Sequence, residues 1–328
     1  TAIGYSALNA QNFTSSTEAN NTAVGYNAGL SVTTGQANTL IGMVAGDALT
    51  DADHNVAVGV GALSGDTLGS RSTAIGKNAL STQNFTSATD VYNTAVGYQA
   101  GTSVTTGTAN TIIGALAGDA MTTGSANTFV GISAGGSGVV TGNSNTGVGN
   151  SAGGSITSGA NNLFLGNDAG TTGSPGGNFT THDNRITLGD ENIIEFNAQV
   201  SLSVASDERD KTDFTALDIG LDFVKQLNPL TYRWDKRSKY GDKYADDYDL
   251  NAQTPDGTHK EERLEVGFKA QEVKALEESS GYKIADKTNL VTSISGDGKQ
   301  YSMVYEKLVP ILVKALQELS AKNDALEA

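Results

Sequence analysis

Asn93-Thr94-Ala95-Val96-Gly97 repeats, letter for letter, what stands at Asn21-Thr22-Ala23-Val24-Gly25. Around it lies a longer phrase: an aliphatic residue, Gly, two variable residues, Ala, then Gly or Leu. The phrase starts at Ile3-Gly4, Val24-Gly25, Ile41-Gly42, Val58-Gly59, Ile75-Gly76, Val96-Gly97, Ile113-Gly114, Val130-Gly131, Val148-Gly149 and Leu165-Gly166, with a degenerate copy at Leu188-Gly189. The glycines are mostly 17 residues apart, with steps of 21 after Gly4 and Gly76 and of 18 after Gly131. A longer period of 72 lies above this, since Gly4, Gly25, Gly42 and Gly59 map onto Gly76, Gly97, Gly114 and Gly131. The insert Gln-Asn-Phe-Thr-Ser at 11–15 returns at 83–87. A short fixed period signals a solenoid. Seventeen residues are too few for a helical pair, and Gly, Asn and Thr are poor in helix interiors. The alternation in Asn-Thr-Ala-Val-Gly is that of a half-buried strand, so each unit predicts about two short strands joined by turns, one coil of a β-solenoid.

Such a coil has a thin interior: one aliphatic, one Ala, sometimes a second Leu, Ile or Val. That is a weak core for a lone chain, and association of several chains would bury more, so a homotrimer is expected. The array, over roughly 1–170, resembles the head repeats of trimeric autotransporter adhesins and similar repeats in phage tail fibres. That resemblance implies a left-handed parallel β-roll, although the period here is longer than in the best-known adhesin heads.

Composition agrees with a repeat array joined to something else. The chain has 328 residues, with 40 Gly, 4 Pro, no Cys and a net charge of −15. Residues 1–200 hold 3 Lys+Arg against 12 Asp+Glu, and the remainder 18 against 24. Neither part is basic, which speaks against binding a phosphate backbone. Without cysteine there are no disulfides or thiolate metal sites. No signal peptide or long apolar run is visible, so no membrane insertion is expected. The chain opens at Thr1 inside a repeat and reads as a piece or product of a longer one. No phosphate-loop run occurs, and Gly59-Val60-Gly61 belongs to the repeat. Asp51-Ala52-Asp53 reads as a solvated turn rather than a calcium site. His54, His182 and His259 are too dispersed to suggest a metal or triad. No cofactor and no metal are expected. The inserts around Phe13 and Phe85, with Tyr92 nearby, read as filler between coils or as a protruding binding edge.

From about Thr171 the repeat decays through Gly173-Ser174-Pro175-Gly176-Gly177. Arg185–Gly189, Asn192–Phe196 and Val200–Val204 read as short strands, the last leading into Ser206-Asp207-Glu208-Arg209-Asp210-Lys211. This divides the chain into a solenoid (1–170), a β connector (171–205) and a C-terminal domain (206–328). A serine becomes a nucleophile when a base takes its proton, and a desolvated lysine can be that base. Ser206 and Lys211 are five apart, off-face on a helix and on opposite faces of a strand. A turn, or a lysine from another chain, must join them. The competing reading makes Ser206 a helix N-cap with Arg209 in the first turn.

Ser206-Asp207-x-Arg209-x-Lys211 resembles the signature of the self-cleaving C-terminal intramolecular chaperone of endosialidases and other phage tail spikes. A related domain occurs in membrane-anchored eukaryotic transcription factors. Leu227-Asn228-Pro229-Leu230-Thr231-Tyr232-Arg233-Trp234, Gly267-Phe268-Lys269-Ala270-Gln271-Glu272-Val273 and the stretch Tyr301 to Leu319 resemble the same family, in order. The resemblance implies that Ser206 is nucleophile and Lys211 general base in a single-turnover autoprotease. Cleavage would fall between Ala205 and Ser206, with Asp207 and Arg209 supporting. It also implies a homotrimeric virion tail fibre, assembled in the host cytoplasm beside other phage tail proteins and binding a host cell-surface receptor. A fragment of a glycan-degrading tail spike and a trimeric cell-surface adhesin are the alternatives.

In the C-terminal domain, Leu217, Leu221, Val224 and Leu227 have helical spacing, and Leu230 to Trp234 reads as a strand. Residues 235–263 read as a charged loop, either solvated or clamping the folding array. Val266 to Glu278 runs from strand to helix, and 290–294 with 300–304 forms a hairpin. The last helix carries Tyr305, Leu308, Leu312, Ala315, Leu319, Lys322 and Leu326 at alternating steps of 3 and 4. It either packs on its own domain or joins a three-stranded bundle. The fold expected is mainly β, then α+β ending in a long helix.

Overall fold

The computed structural model describes residues 1–13, 18–136, 138–245 and 247–328; Thr14 and Ser15 of the first insert and Asp246 of the charged loop lie outside them. The chain forms two compact units, Thr1–Asn192 and Ile193–Ala328.

The first unit is a β-solenoid. Eleven short strands stack in parallel in one sheet, from Ala2–Ile3 to Ile186–Leu188. The sheet therefore continues past residue 170, because Ile186–Leu188 pairs in register with Leu163–Leu165. Each coil contributes one strand of this sheet rather than two. The rest of the coil is turn, held by residues in the left-handed region; among the described residues Gly69–Ser70 and Thr89–Asp90 form a second ladder and Met121 and Val140 a single parallel bridge. Register pairs like with like. The inner column (Ala23, Leu40, Ala57, Ala74, Ala95, Ile112, Phe129, Phe164) is fully buried. Phe129 lies opposite Gly147, whose missing β-carbon leaves room for the ring. The outer column runs Ile3, Val24, Ile41, Val58, Ile75, Val96, Ile113, Val130, Val148, Leu165 and Leu188, one aliphatic residue per coil.

A buried asparagine ladder lies along the strand entrances. Each Nδ2–H2 group donates to a carbonyl fourteen or so residues on, as Asn110 does to Gly124 at 2.9 Å, and each Oδ1 accepts the next ladder residue's N–H, as Asn110 does from Asn127 at 2.9 Å. The ladder holds Asn21, Asn38, Asn55, Asn93, Asn110, Asn127, Asn145 and Asn162 and breaks at Ser72. Gln83 from the second insert bridges the break. Its amide donates to Ser72 Oγ and Asp66, and its carbonyl accepts from Asn93. Asn110→Ala would leave the Asn127 N–H and the Gly124 carbonyl unpaired in the interior. It should cost about 2 kcal/mol, read as a lower denaturation midpoint with an unchanged slope.

In the second unit, Leu230–Tyr232 pairs antiparallel with Glu265–Gly267, and Thr292–Ile294 with Tyr301–Met303. The α-helices among the described residues are α1 (Leu221–Val224), α2 (Ala270–Ser279) and α3 (Leu308–Glu327). Helix α1 is shorter than its apolar spacing predicts; its N-terminus is fixed by Glu318 of α3, whose carboxylate accepts Leu221 N–H at 2.8 Å. Residues 192–196 and 200–204 form no strand. Their alternating apolar side chains, Ile194, Phe196, Val200, Leu202 and Val204, stand exposed because one chain offers them no partner. The 235–263 loop folds back on its own unit, with Leu250 buried and Arg237 donating to the Lys299 carbonyl at 2.6 Å.

Candidate functional site

The site is built on a single 3-10 turn. The chain reaches Ser206 extended and exposed, and Asp207 caps the turn Glu208–Asp210 by accepting the Arg209 N–H at 3.0 Å. Asp207, not Ser206, is thus the cap. The Arg209 guanidinium folds back onto the same carboxylate, Nε to Oδ1 at 3.0 Å and Nη2 to Oδ2 at 2.6 Å. This hydrogen bonding holds the Asp207 carboxyl below its ordinary range. The clamp therefore persists through neutral pH and opens only as acid protonates the carboxylate. Being exposed, it shapes the turn more than it stabilises the fold.

The turn solves the spacing problem. Lys211 N–H closes onto the Glu208 carbonyl at 3.1 Å, which swings the lysine side chain back over the serine. Lys211 Nζ lies 2.6 Å from Ser206 Oγ and 3.2 Å from the Ser206 carbonyl. The two residues meet within one chain. As an ammonium, Nζ donates to the hydroxyl; as a neutral amine at the same distance it can accept the hydroxyl proton. Asp207 and Arg209 bond to each other, and among the described residues neither hydrogen-bonds the Ser206 hydroxyl or the Lys211 amine. They shape the turn.

The downstream phrases meet in the second unit. Tyr232 packs edge-on against Trp234 at 5.3 Å between ring centroids. A β-carbon on Gly267 would strike the Tyr305 hydroxyl, and Phe268 N–H donates to that hydroxyl at 3.3 Å. Glycine at 267 is therefore what lets the strand and the start of the last helix approach. One residue that the sequence does not advertise ties this unit together. Glu277 on α2 is buried, among the described residues without a basic partner, and its carboxylate accepts the N–H groups of Leu290, Val291 and Thr292 at 2.9, 2.5 and 3.2 Å. Nothing in the sequence separates it from the exposed glutamates beside it.

No cluster of three metal-ligating residues occurs among the described residues. Asp53 Oδ1 accepts the Gln36 N–H at 2.7 Å, and Asp51 accepts the Thr34 hydroxyl, so both serve neighbouring coils. Among the described residues, no helix is long and apolar enough to cross a membrane.

The family model described as the chaperone of endosialidase matches residues 206–282, beginning at Ser206 itself. No curated protein and no solved structure matches the chain. The family match supports a C-terminal intramolecular chaperone domain behind a β-solenoid.

Proposed function

We propose that the chain is a receptor-binding phage tail-fibre tip, a homotrimer whose C-terminal domain sets the register of the array and then releases itself by cutting before Ser206. The observation that carries this reading is the 2.6 Å approach of Lys211 Nζ to Ser206 Oγ at the first residue of the segment similar to the chaperone of endosialidase. Lys211 takes the hydroxyl proton as Oγ attacks the Ala205 carbonyl carbon. The Ala205–Ser206 C–N bond breaks, and the proton passes to the departing amine. The resulting ester between Ala205 and Oγ takes up water. The products are a carboxylate on Ala205 and a free amine and hydroxyl on Ser206. A lysine acts as a base once it is desolvated, and both side chains are exposed in one chain. Firing therefore follows a covering of the pair by neighbouring chains, which lowers the lysine's proton affinity by desolvation. Cleavage comes after assembly.

Three apolar rows open to solvent support a homotrimer, the first of them only partly exposed. The first is the outer column of the solenoid, one aliphatic residue per coil. Its neighbours are so alike that chains slipped by one coil would bury nearly the same surface, which is why a separate device must set register. The second is the alternating row from Ile194 to Val204. The third lies on α3. Leu308, Ile311 and Ala315 are spent on the domain's own core, while Val309, Leu312, Leu316, Leu319 and Leu326 are exposed. With Asn323 these fall at alternating steps of 3 and 4, a coiled-coil seam. The seam is thus displaced from the series through Leu308 and Ala315 that spacing alone suggested, because packing on α1 has already claimed those two.

Light scattering on the uncut chain should give three times the chain mass, and a stable monomer at micromolar concentration would sink this reading. Leu316→Lys places a charge in the seam without touching the domain core. It should convert trimer to monomer with little change in the monomer's far-ultraviolet circular dichroism. In this reading the finished fibre sits in the virion beside other tail proteins, after assembly in the host cytoplasm. It meets a host surface receptor, and its acidic array leaves nucleic acid out.

A further inference from the structure

The residue before each position of the ladder's line, from Asn21 through Ser72 to Asn162 and on to Arg185, adopts the left-handed conformation in ten successive coils. In order these are Asn20, Ala37, His54, Arg71, Tyr92, Ala109, Ala126, Ser144, Asn161 and Asn184, with φ between +51° and +67°. A β-carbon is strained there; Asn, Asp and His tolerate it best, and other bulky side chains tolerate it poorly. Seven of the ten are Asn, Ala or Ser. The other three, His54, Arg71 and Tyr92, are consecutive. The array itself shows that the fold does not need them, since Ala126 replaces His54 one 72-residue period later. At Arg71 and Tyr92 the strain is kept without a folding reason, which points to use.

The three lie on adjacent coils, whose strands Val56–Val58, Thr73–Ile75 and Thr94–Val96 pair in register. The second ladder, Ser70 against Asp90, brings an acid between them. Arg71 Nε donates to Asp90 Oδ1 at 2.8 Å, and Tyr92 Oη to Asp90 Oδ2 at 3.2 Å. Arg71, first, and then Tyr92 and His54 hold the Asp90 carboxyl below its ordinary range. The insert beneath is anchored. Phe85 is buried and its N–H donates to buried Asp66 at 3.0 Å, so the insert's own aromatic is filler. What remains at the surface is a rigid patch, with Arg71, Asp90 and Tyr92 each about half exposed.

We propose that this patch binds a neutral saccharide of the receptor; the proposal rests on the receptor-binding reading above and gives it a place and a ligand class. The Arg71–Asp90 pair presents donors and acceptors side by side, which suits adjacent sugar hydroxyls. The Tyr92 ring offers an apolar face with a polar tip, which suits the C–H face of a pyranose. Asp53 and Asp90 flank the Arg71 guanidinium on a chain of net charge −15, so acidic sugars are repelled.

The test uses the full chain and the triple variant His54→Ala, Arg71→Ser, Tyr92→Asn, each new residue being one the same column already carries. Both are applied to an array of neutral oligosaccharides printed beside sialylated and uronic-acid ones. The parent should bind neutral sugars and the variant should bind them about tenfold more weakly or worse, with a melting temperature equal or higher because Asn and Ser relieve the strain. Equal binding by the variant overturns the patch and leaves receptor binding standing. Binding of acidic sugars alone overturns the ligand class. A variant that melts lower makes the three side chains scaffold and overturns the assignment. A parent that binds nothing on the array sinks both the patch and the glycan-receptor reading.

Discussion

The Ser206→Ala chain is expected to run as one band on a denaturing gel, while the parent, once assembled, separates into 1–205 and 206–328. Without Oγ there is no nucleophile within reach of the Ala205 carbonyl, and an unassisted peptide bond is stable on any laboratory timescale. The loss should be complete. Lys211→Arg is the sharper companion. It keeps the charge and comparable reach but cannot surrender its proton. If the lysine acts as a base, cleavage should slow by roughly 10²–10⁴-fold; if Lys211 only supplies positive charge, Arg should cut nearly as well. Asp207→Asn should have a smaller effect, since it loosens the Arg209 clamp and the aim of the turn while sparing both reacting groups. An assembled parent that stays whole, or a Ser206→Ala chain that still splits, refutes the dyad. Dilution below the assembly concentration should also stop cleavage, because the pair is then left in water.

Gly59→Ala should be among the most damaging single methyls in the solenoid. Gly59 has φ +136°, outside what an L side chain adopts readily, and an added β-carbon would lie 2.5 Å from the Gly76 carbonyl oxygen and 2.6 Å from its carbon. Backbone on the next coil cannot rotate away as a side chain would. Relief requires the two coils to separate, which also disturbs the ladder bonds on either side. Strain and overpacking together should cost about 4 kcal/mol. A solenoid's stability is carried by contacts between neighbours, so the damage should localise. Hydrogen exchange should speed up in the coils of Gly42, Gly59 and Gly76 and stay slow around Gly131. Uniform loss of protection, or none, would contradict this account.

The repeat was legible because its causes are local and recur. Gly59 and its counterparts announce a coil spacing that no side chain can mimic, and the alternation around Val96 announces a strand. The ladder asparagines were visible as letters without their meaning, since burial of a polar side chain depends on the carbonyl that comes to meet it from the next coil. Gln83 carries no local sign that it completes a hydrogen-bond line broken at Ser72. Helix α3, where Leu308 and Ala315 are buried, shows a related limit. Periodicity finds apolar positions on a helix, but which of them a neighbouring α1 will use is a matter of packing.

The sequence by itself determined that this chain is a β-solenoid followed by a chaperone-like domain, because period, composition and four ordered phrases are properties of the letters. It also named Ser206 and Lys211. Only the tertiary structure decided that they meet in one chain, because five residues of spacing join two side chains only when a 3-10 turn, clamped by Asp207 and Arg209, lies between them. It also decided that His54, Arg71 and Tyr92, far apart in the sequence, stand on adjacent coils, because stacking turns a period of 17 or 21 residues into the distance between neighbouring strands.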